Sequence, residues 1–379
     1  MRVWALTSSR EGDNAQVFAV AEAMGVPYEV RRFQNRSGAI ALNLIFGPRA
    51  ARSRVEMLDS ILPPWPDLII AAGTQSEPIL AMIRAASDGS LVRQIFLGRP
   101  WMNPDCYDLV VTTPQYQVPP AANVMELDLP MHRVTREAIA REAERWEPRI
   151  ALLPHPRIAV LLGGSINRYT LDARAAQRIA VEVGARAGSM LVCNSYRTPP
   201  AAMQALTESV AVPAFIHDWH NPDGAENPYL AFLGLADEIV VTGDSISMLA
   251  EASTTEKPVY IFDLGEGRYG MRPGGSRPTV AVPGPWLGSA IRAGLKDLKV
   301  RFTNSIIPRR LHRDTRPIHA RLVESGRAAW FGDSFTPTRS RAVEDSAAAV
   351  AARIKAVCGQ AASGLASAPG SRRITSKAS

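Results

Sequence analysis

The chain has 379 residues, 46% hydrophobic and 21% charged, with a formal net charge of +7. This composition excludes a disordered or fibrous protein and allows two domains, each burying its own core. No apolar run approaches the ~20 residues that span a bilayer, and the opening MRVWALTSSREGD lacks the apolar core of a signal peptide. Three scattered cysteines, Cys106, Cys193 and Cys358, fit a reducing cytoplasm better than a disulfide or zinc scaffold. Residues 361–379 carry Arg372, Arg373 and Lys377 and no acid, which leaves +4 on the remainder. Such mild basicity suits phosphorylated ligands or an anionic membrane surface and is too weak to argue for nucleic acid.

In chain order, RVWALT, YEVRRF, DLIIAAG, RQIFLG, DLVVTT and NVMELDL are strand candidates, separated by helical segments such as NAQVFAVAEAMG and SEPILAMIRAAS. Apolar, β-branched runs alternating with alanine-rich helices predict an α/β fold with mainly parallel sheets. Residues 131–156 are charged, end in Pro154 and Pro156, and read as a connection. The pattern then restarts with RIAVLLGG, SMLVCNS, AFIHD, EIVVT and PVYIFDL. Two Rossmann-like domains are expected, 1–135 and 157–335, joined by a linker at 136–156. Their ligands should sit in a cleft beyond the carboxyl ends of the strands. A late helix, 341–358, is expected to pack back on the first domain, and 361–379 reads as a disordered tail.

Three strand-end turns can carry chemistry. TSSREGDNAQ (7–16) is either a polar loop that caps a helix through Asp13 or Asn14, or part of a site. LLGGSINRYTLD (161–172) joins Gly163 and Gly164, which permit close backbone approach, to the hydroxyl of Ser165 and the fixed charge of Arg168. That composition suits a phosphate, and a simple tight turn fits it equally. VTGDSISMLAEA (241–252) opens a helix with Ser245 and Ser247 at its mouth. Glu251 lies four residues beyond Ser247, on the same face and one turn deeper. A carboxylate placed there can accept from a ribose diol, although an ordinary capped helix has the same spacing.

LLGGSINRY, NSYRTPP, NPYLAFLGLADEIVVTGDSISMLAEASTTEKPVYIF and WALTSSREGDNAQ together resemble one family. Its plant members are named for mitochondrial fission (ELM), and its bacterial members are assigned to glycosyltransferases of lipopolysaccharide or other envelope glycolipids. The resemblance covers residues 2–330 and is densest over 225–262. It implies a GT-B-like fold, two Rossmann-like domains facing an interdomain cleft, with a nucleotide-sugar donor held by the C-terminal one. On that resemblance Gly163, Gly164 and Ser165 line the donor diphosphate. Asp244, Ser245, Ile246, Ser247 and Met248 form the donor-side helix mouth, and Glu251 bonds the ribose. Arg197 neutralises phosphate charge as the glycosidic bond breaks, with Tyr196 standing where relatives carry a further arginine. Asn227, Pro228 and Tyr229 start the helix that walls the nucleotide side, and Phe215 and Ile216 present backbone groups to the base. The chain departs from the family at SSREGD (8–13), where bacterial relatives tend to have DGKAG or DGRPG. It departs again at TTPQYQVP (112–119), which lacks the His-Asp pair that many relatives carry.

No Asp-x-Asp pair occurs, and His217, Asp218, His220 and Asp223 lack a separate third ligand, so no metal is expected. No resident cofactor is expected either, the nucleotide sugar being a co-substrate. The expected chemistry is sugar transfer from a nucleotide-diphosphate sugar to a hydroxyl of an envelope glycan or lipid. Helix dipoles, backbone N–H groups and arginine would hold the leaving diphosphate, and Asp13 or Glu11 would take the proton. SGAIALNLIFGPRAARSR (37–54) sets an apolar run beside Arg49, Arg52 and Arg54. It reads either as a peripheral contact with the inner face of the cytoplasmic membrane or as a core helix with a solvated basic face. Two other readings stand beside the transferase. A nucleotide-sugar epimerase or hydrolase on the same fold would turn over without acceptor, and a non-catalytic fission-type scaffold would have no reason to bind nucleotide.

Overall fold

The computed structural model describes residues 1–35, 55–57, 59, 61–87, 92–166, 169–220, 226–266, 270–275, 313–336 and 346–366. The first half is built from β1 (Val3–Thr7), α1 (Glu11–Ala23), β2 (Tyr28–Asn35), β3 (Val55–Met57), β4 (Leu68–Ala72), α2 (Glu77–Ala86), β5 (Arg93–Leu97), β6 (Leu109–Thr112) and β7 (Val124–Glu126). Its seven-stranded sheet runs β3-β2-β1-β4-β5-β6-β7, parallel except where β3 meets β2. The central strands are apolar almost throughout because both faces are covered. Val3 and Ala5 enter one core with Val17 and Val20 of α1, while Trp4 and Leu6 enter the other with Ile79 and Ile83 of α2. The two-residue side-chain period thus sends alternate residues to helices on opposite faces.

The second half comprises α3 (Arg136–Ile150), β8 (Arg157–Leu162), β9 (Ser165–Ile166), β10 (Tyr169–Thr170), α4 (Ala173–Gly184), β11 (Ser189–Asn194), α5 (Pro200–Ser209), β12 (Ala214–His217), α6 (Tyr229–Leu235), β13 (Glu238–Thr242), α7 (Ile246–Ala252), β14 (Val259–Phe262), α8 (Arg316–Glu324), β15 (Ala329–Trp330) and α9 (Ser346–Ala366). Its six-stranded sheet, β12-β11-β8-β13-β14-β15, is parallel throughout. The expected α/β fold with two mainly parallel sheets is therefore present. In each sheet the winding reverses between two neighbours, β1 and β4 in the first and β8 and β13 in the second. Such reversals open a crevice at the carboxyl ends of the strands.

The stretch read as a linker is a packed helix. Thr135 Oγ1 accepts the Ala138 N–H at 3.2 Å and caps α3. Trp146 of α3 then meets Phe215 edge-on at 5.9 Å, and Phe215 meets Phe232 of α6 at 5.8 Å. Gly234 allows this close approach, since a Cβ there would lie 2.6 Å from the Ala143 Cβ. Helix α9 lays Val350, Ala351 and Ile354 into the core beside α1. It is described from Ser346 and runs to Ala366, six residues into the stretch read as a tail, where alanines at 361, 362 and 366 favour helix. Residues 37–54, 341–345 and 367–379 lie outside the described residues. Arg321 of α8 bridges to the first half, donating to Asp128 at 2.8 Å and Glu126 at 2.7 Å. Among the described residues no helix is long and apolar enough to cross a membrane.

Filling the α3–α6 contact should cost stability. Gly234→Val is expected to lower the unfolding free energy by about 1–3 kcal/mol through overpacking, read as a lower denaturant midpoint at unchanged slope.

Candidate functional site

The reversal in the second sheet is closed by a buried carboxylate. Asp244, with no solvent exposure, accepts the Gly164 N–H at 2.7 Å and the Thr242 hydroxyl at 2.7 Å. Thr242 Oγ1 in turn accepts the Gly163 N–H at 2.8 Å. A Cβ at Gly163 would sit 2.5 Å from Asp244 Oδ2, and one at Gly164 would sit 2.7 Å from the Arg197 carbonyl oxygen. The two glycines therefore let β8, β13 and the Arg197 turn close on one another. Both amides are already donated within their own half, and neither glycine, expected to line a diphosphate, is among the cavity-lining residues. Arg197 extends from this knot, its Nη2 3.8 Å from Asp244 Oδ2.

A cavity of about 500 Å³ lies between the halves. One wall is the carboxyl edge of the first sheet, with Arg10, Asp13, Gly73 and Arg99; the other carries Arg197, Ile246 and Ser247, and Arg313 also lines it. The first turns of α1 and α7 meet here, a Cβ at Gly12 falling 3.9 Å from Ser247 Oγ. Gly73, at φ +72°, leaves room for the Asp13 carboxylate, which lies 2.2 Å from where a Cβ would stand. Burial raises the pKa of Asp13, opposed by the charges of Arg10 and Arg313. Arg313 donates to Gln115 Oε1 at 3.0 Å, and both it and Arg99 lie within 6 Å of the Tyr116 ring, at 5.9 and 5.8 Å. Four guanidiniums thus face one carboxylate among the described lining residues, an arrangement suited to an anionic ligand.

The remaining residues singled out from the sequence divide clearly. Ile246 and Ser247 line the cavity. Ser245 is buried at the start of α7 without a side-chain capping bond, and Met248 packs on the core of the second half. With seven residues, α7 supplies little dipole, so the arginines provide most of the positive field. Glu251 accepts a hydrogen bond from the Tyr229 hydroxyl and is not among the cavity-lining residues. Burial raises its pKa to about 7, with the tyrosine bond opposing. Burial and the Glu251 charge push the Tyr229 hydroxyl well up. Asn227 Oδ1 accepts the Tyr229 N–H at 3.0 Å. Ser165 accepts the Leu171 N–H at 3.2 Å, away from the cavity lining.

Other positions do not reach the cavity. Glu11 is exposed on α1, because residues two apart on a helix point to nearly opposite sides and Asp13 takes the inward one. Phe215 and Ile216 pack against the core of the second half. Asp218 accepts from Asn194 Nδ2 at 2.7 Å, the His220 ring meets the Thr198 carbonyl at 3.1 Å, and His217 is buried. Arg168 and Asp223 lie outside the described residues. Among the described residues no group of three His, Cys, Asp or Glu side chains is placed to hold a metal. Sequence reading quoted the turn that contains Arg10 without singling it out, and passed over Arg99 and Arg313. Arg99 follows strand β5, as Arg10 follows β1; Arg313 reaches Gln115 from 198 residues away without a local signal.

Residues 11–272 match the family described as Mitochondrial fission ELM1. The chain belongs to this family. An Arabidopsis thaliana member, Mitochondrial fission protein ELM1, is 28% identical over 222 residues, 52% of this chain and 51% of that protein. The chain thus spans about half the length of that curated relative. A Rickettsia prowazekii protein described as uncharacterized is 20% identical over 69% of this chain and 83% of its own length. Among solved structures, a glycosyltransferase from Rickettsia africae aligns over 85% of this chain and 93% of its own at 9% identity, with a TM-score of 0.43.

The raised carboxyl of Glu251 has a stability consequence. Between its ordinary value of 4.5 and about 7 the folded chain keeps a proton that the unfolded chain releases. The Glu251 contribution therefore falls as pH rises through that window and is constant above it. Between pH 5 and 8, unfolding free energies should shift in favour of Glu251→Gln over the parent by on the order of 2 kcal/mol. Urea titrations at the two pH values measure the difference.

Proposed function

We propose that the cavity binds a nucleotide-diphosphate sugar and that the protein transfers the sugar to a hydroxyl acceptor, an envelope glycan or glycolipid. The observation that carries this reading is the convergence of four arginines and one buried carboxylate between two sheet reversals. We assign residues 157–335 to the donor side, and residues 1–135 with α9 to the acceptor side. Arg197 and Ser247 would meet the diphosphate, with Ile246 beside them. Glu251, oriented by Tyr229, would accept from the ribose as the donor extends down α7. The acceptor oxygen attacks the anomeric carbon, the bond from that carbon to the phosphate oxygen breaks, and its electron pair leaves with the diphosphate. The acceptor proton passes to Asp13, whose burial makes it a stronger base than an exposed aspartate. The Arg197 guanidinium meets the charge that develops on the leaving group. Action at the inner face of the cytoplasmic membrane, through the basic stretch 37–54, completes the proposal.

The name of the Arabidopsis relative favours a scaffold reading instead, which requires no ligand in the cavity. A thermal-shift screen of UDP-, GDP-, CMP- and dTDP-sugars separates the two. One donor should raise the melting temperature by several degrees, and none would do so for a scaffold. Arg197→Gln should weaken that donor at least tenfold, the loss expected for a charge-assisted contact. Asp13→Asn should lower kcat by about 10²–10⁴ with KM little changed; unaltered turnover would remove Asp13 from the role of base. Free or epimerised sugar formed rapidly without acceptor would favour the hydrolase or epimerase reading.

A further inference from the structure

The donor reading engages one of the four arginines that line the cavity, Arg197. Arg197, on the second-sheet side, already stands near Asp244. The other three, Arg10, Arg99 and Arg313, belong to or are fixed on the opposite wall. Arg10 follows β1, Arg99 follows β5, and Arg313 is held there by Gln115, whose carbonyl also accepts the Asp314 N–H at 2.8 Å. Arg99 and Arg313 share the Tyr116 ring, and Thr112 in the same wall has a buried Oγ1 without a hydrogen-bond partner among the described residues. Burial lowers the pKa of Arg99, and the charges of Arg313 and Arg10 lower it further, although Tyr116 and Glu77 oppose them. A guanidinium does not lose its proton in a protein. An anion would relieve the crowding.

We infer that the first-sheet wall is a second anion subsite, built by Arg10, Arg99 and Arg313 for an acceptor bearing a phosphate monoester near its reacting hydroxyl. Three guanidiniums converge on this wall beside the Thr112 hydroxyl, unpartnered among the described residues, and a phosphate monoester, which brings about −1.5 to −2, accepts bidentate guanidinium contacts. Asp13, in the same wall, would then lie beside the hydroxyl of a ligand fixed by its phosphate. The inference rests on the donor reading of the opposite wall, and its test separates the two.

Inorganic phosphate is titrated calorimetrically into the protein alone and into protein saturated with the nucleoside diphosphate of the donor found by thermal shift. Phosphate should bind in both cases. Arg99→Gln and Arg313→Gln should each weaken it about tenfold or more while nucleotide affinity is kept, which also shows that the variants fold. Arg10→Gln, at an exposed position, supplies a third variant. Phosphate that fails to bind, that ignores these substitutions, or that the nucleotide expels would overturn the subsite. If no nucleotide binds, the donor reading falls, while arginine-dependent phosphate binding still upholds the subsite. Glucose 6-phosphate in solution and phosphatidic acid in vesicles distinguish a soluble from a lipid source. Displacement of phosphate by either supports the acceptor assignment, and displacement by neither overturns it.

Discussion

A single buried carboxylate holds the second half in register at its functional edge. Asp244 has no water to solvate it, so its charge must be met by the Gly164 amide, the Thr242 hydroxyl and the nearby Arg197 guanidinium. Meeting it draws the ends of β8 and β13 together and leaves no space for a Cβ at Gly163. Ser195 and Thr198 add a second set of ties, the Ser195 hydroxyl donating to the Gly163 carbonyl at 2.9 Å and Thr198 Oγ1 to that of Leu162 at 3.1 Å. Arg197 is carried between these two residues. Its direction is therefore set by backbone contacts on both sides as well as by charge.

The opposing wall is ordered by a comparable device. Glu77, fully buried at the start of α2, accepts the Trp101 N–H at 2.7 Å, the Met102 N–H at 3.1 Å and the Tyr107 hydroxyl at 3.1 Å. Those bonds fix the turn that follows Arg99, and burial raises the Glu77 carboxyl to about 7. Each sheet thus places an arginine next to a buried carboxylate just beyond a strand end. The first turns of α1 and α7 approach across the gap, Gly12 facing Ser247, and Gly73 leaves room for the Asp13 carboxylate. Local capping and packing in each half produce a cavity whose chemistry belongs to neither alone.

Most strands were legible because buried parallel strands are short, apolar and β-branched and are followed by glycine or polar turns. The strands that escaped, β3, β9, β10 and β15, span two or three residues, too few for any period to register. Residues 136–156 read as a linker because α3 within them is highly charged, yet Trp146 and Ile150 give that helix a buried face. In the site, the family resemblance supplied Arg197, and the strand-end rule led to the turns that hold Asp13 and Ser247. It could not show that the Gly163 and Gly164 amides are consumed by Thr242 and Asp244, since that depends on pairing between residues about 80 apart. Nor could it separate Glu11 from Asp13 without the orientation of α1. Arg313 joins the wall through a tertiary contact with Gln115 that no local pattern encodes.

The central claim is that the two sheet reversals act as one site. Hydrogen–deuterium exchange with and without a saturating nucleoside diphosphate tests it most directly. The account predicts simultaneous protection of amides in residues 8–16, at the start of α1, and in residues 243–252, through α7. Protection restricted to one of these segments, or to neither while the nucleotide is bound, would contradict it.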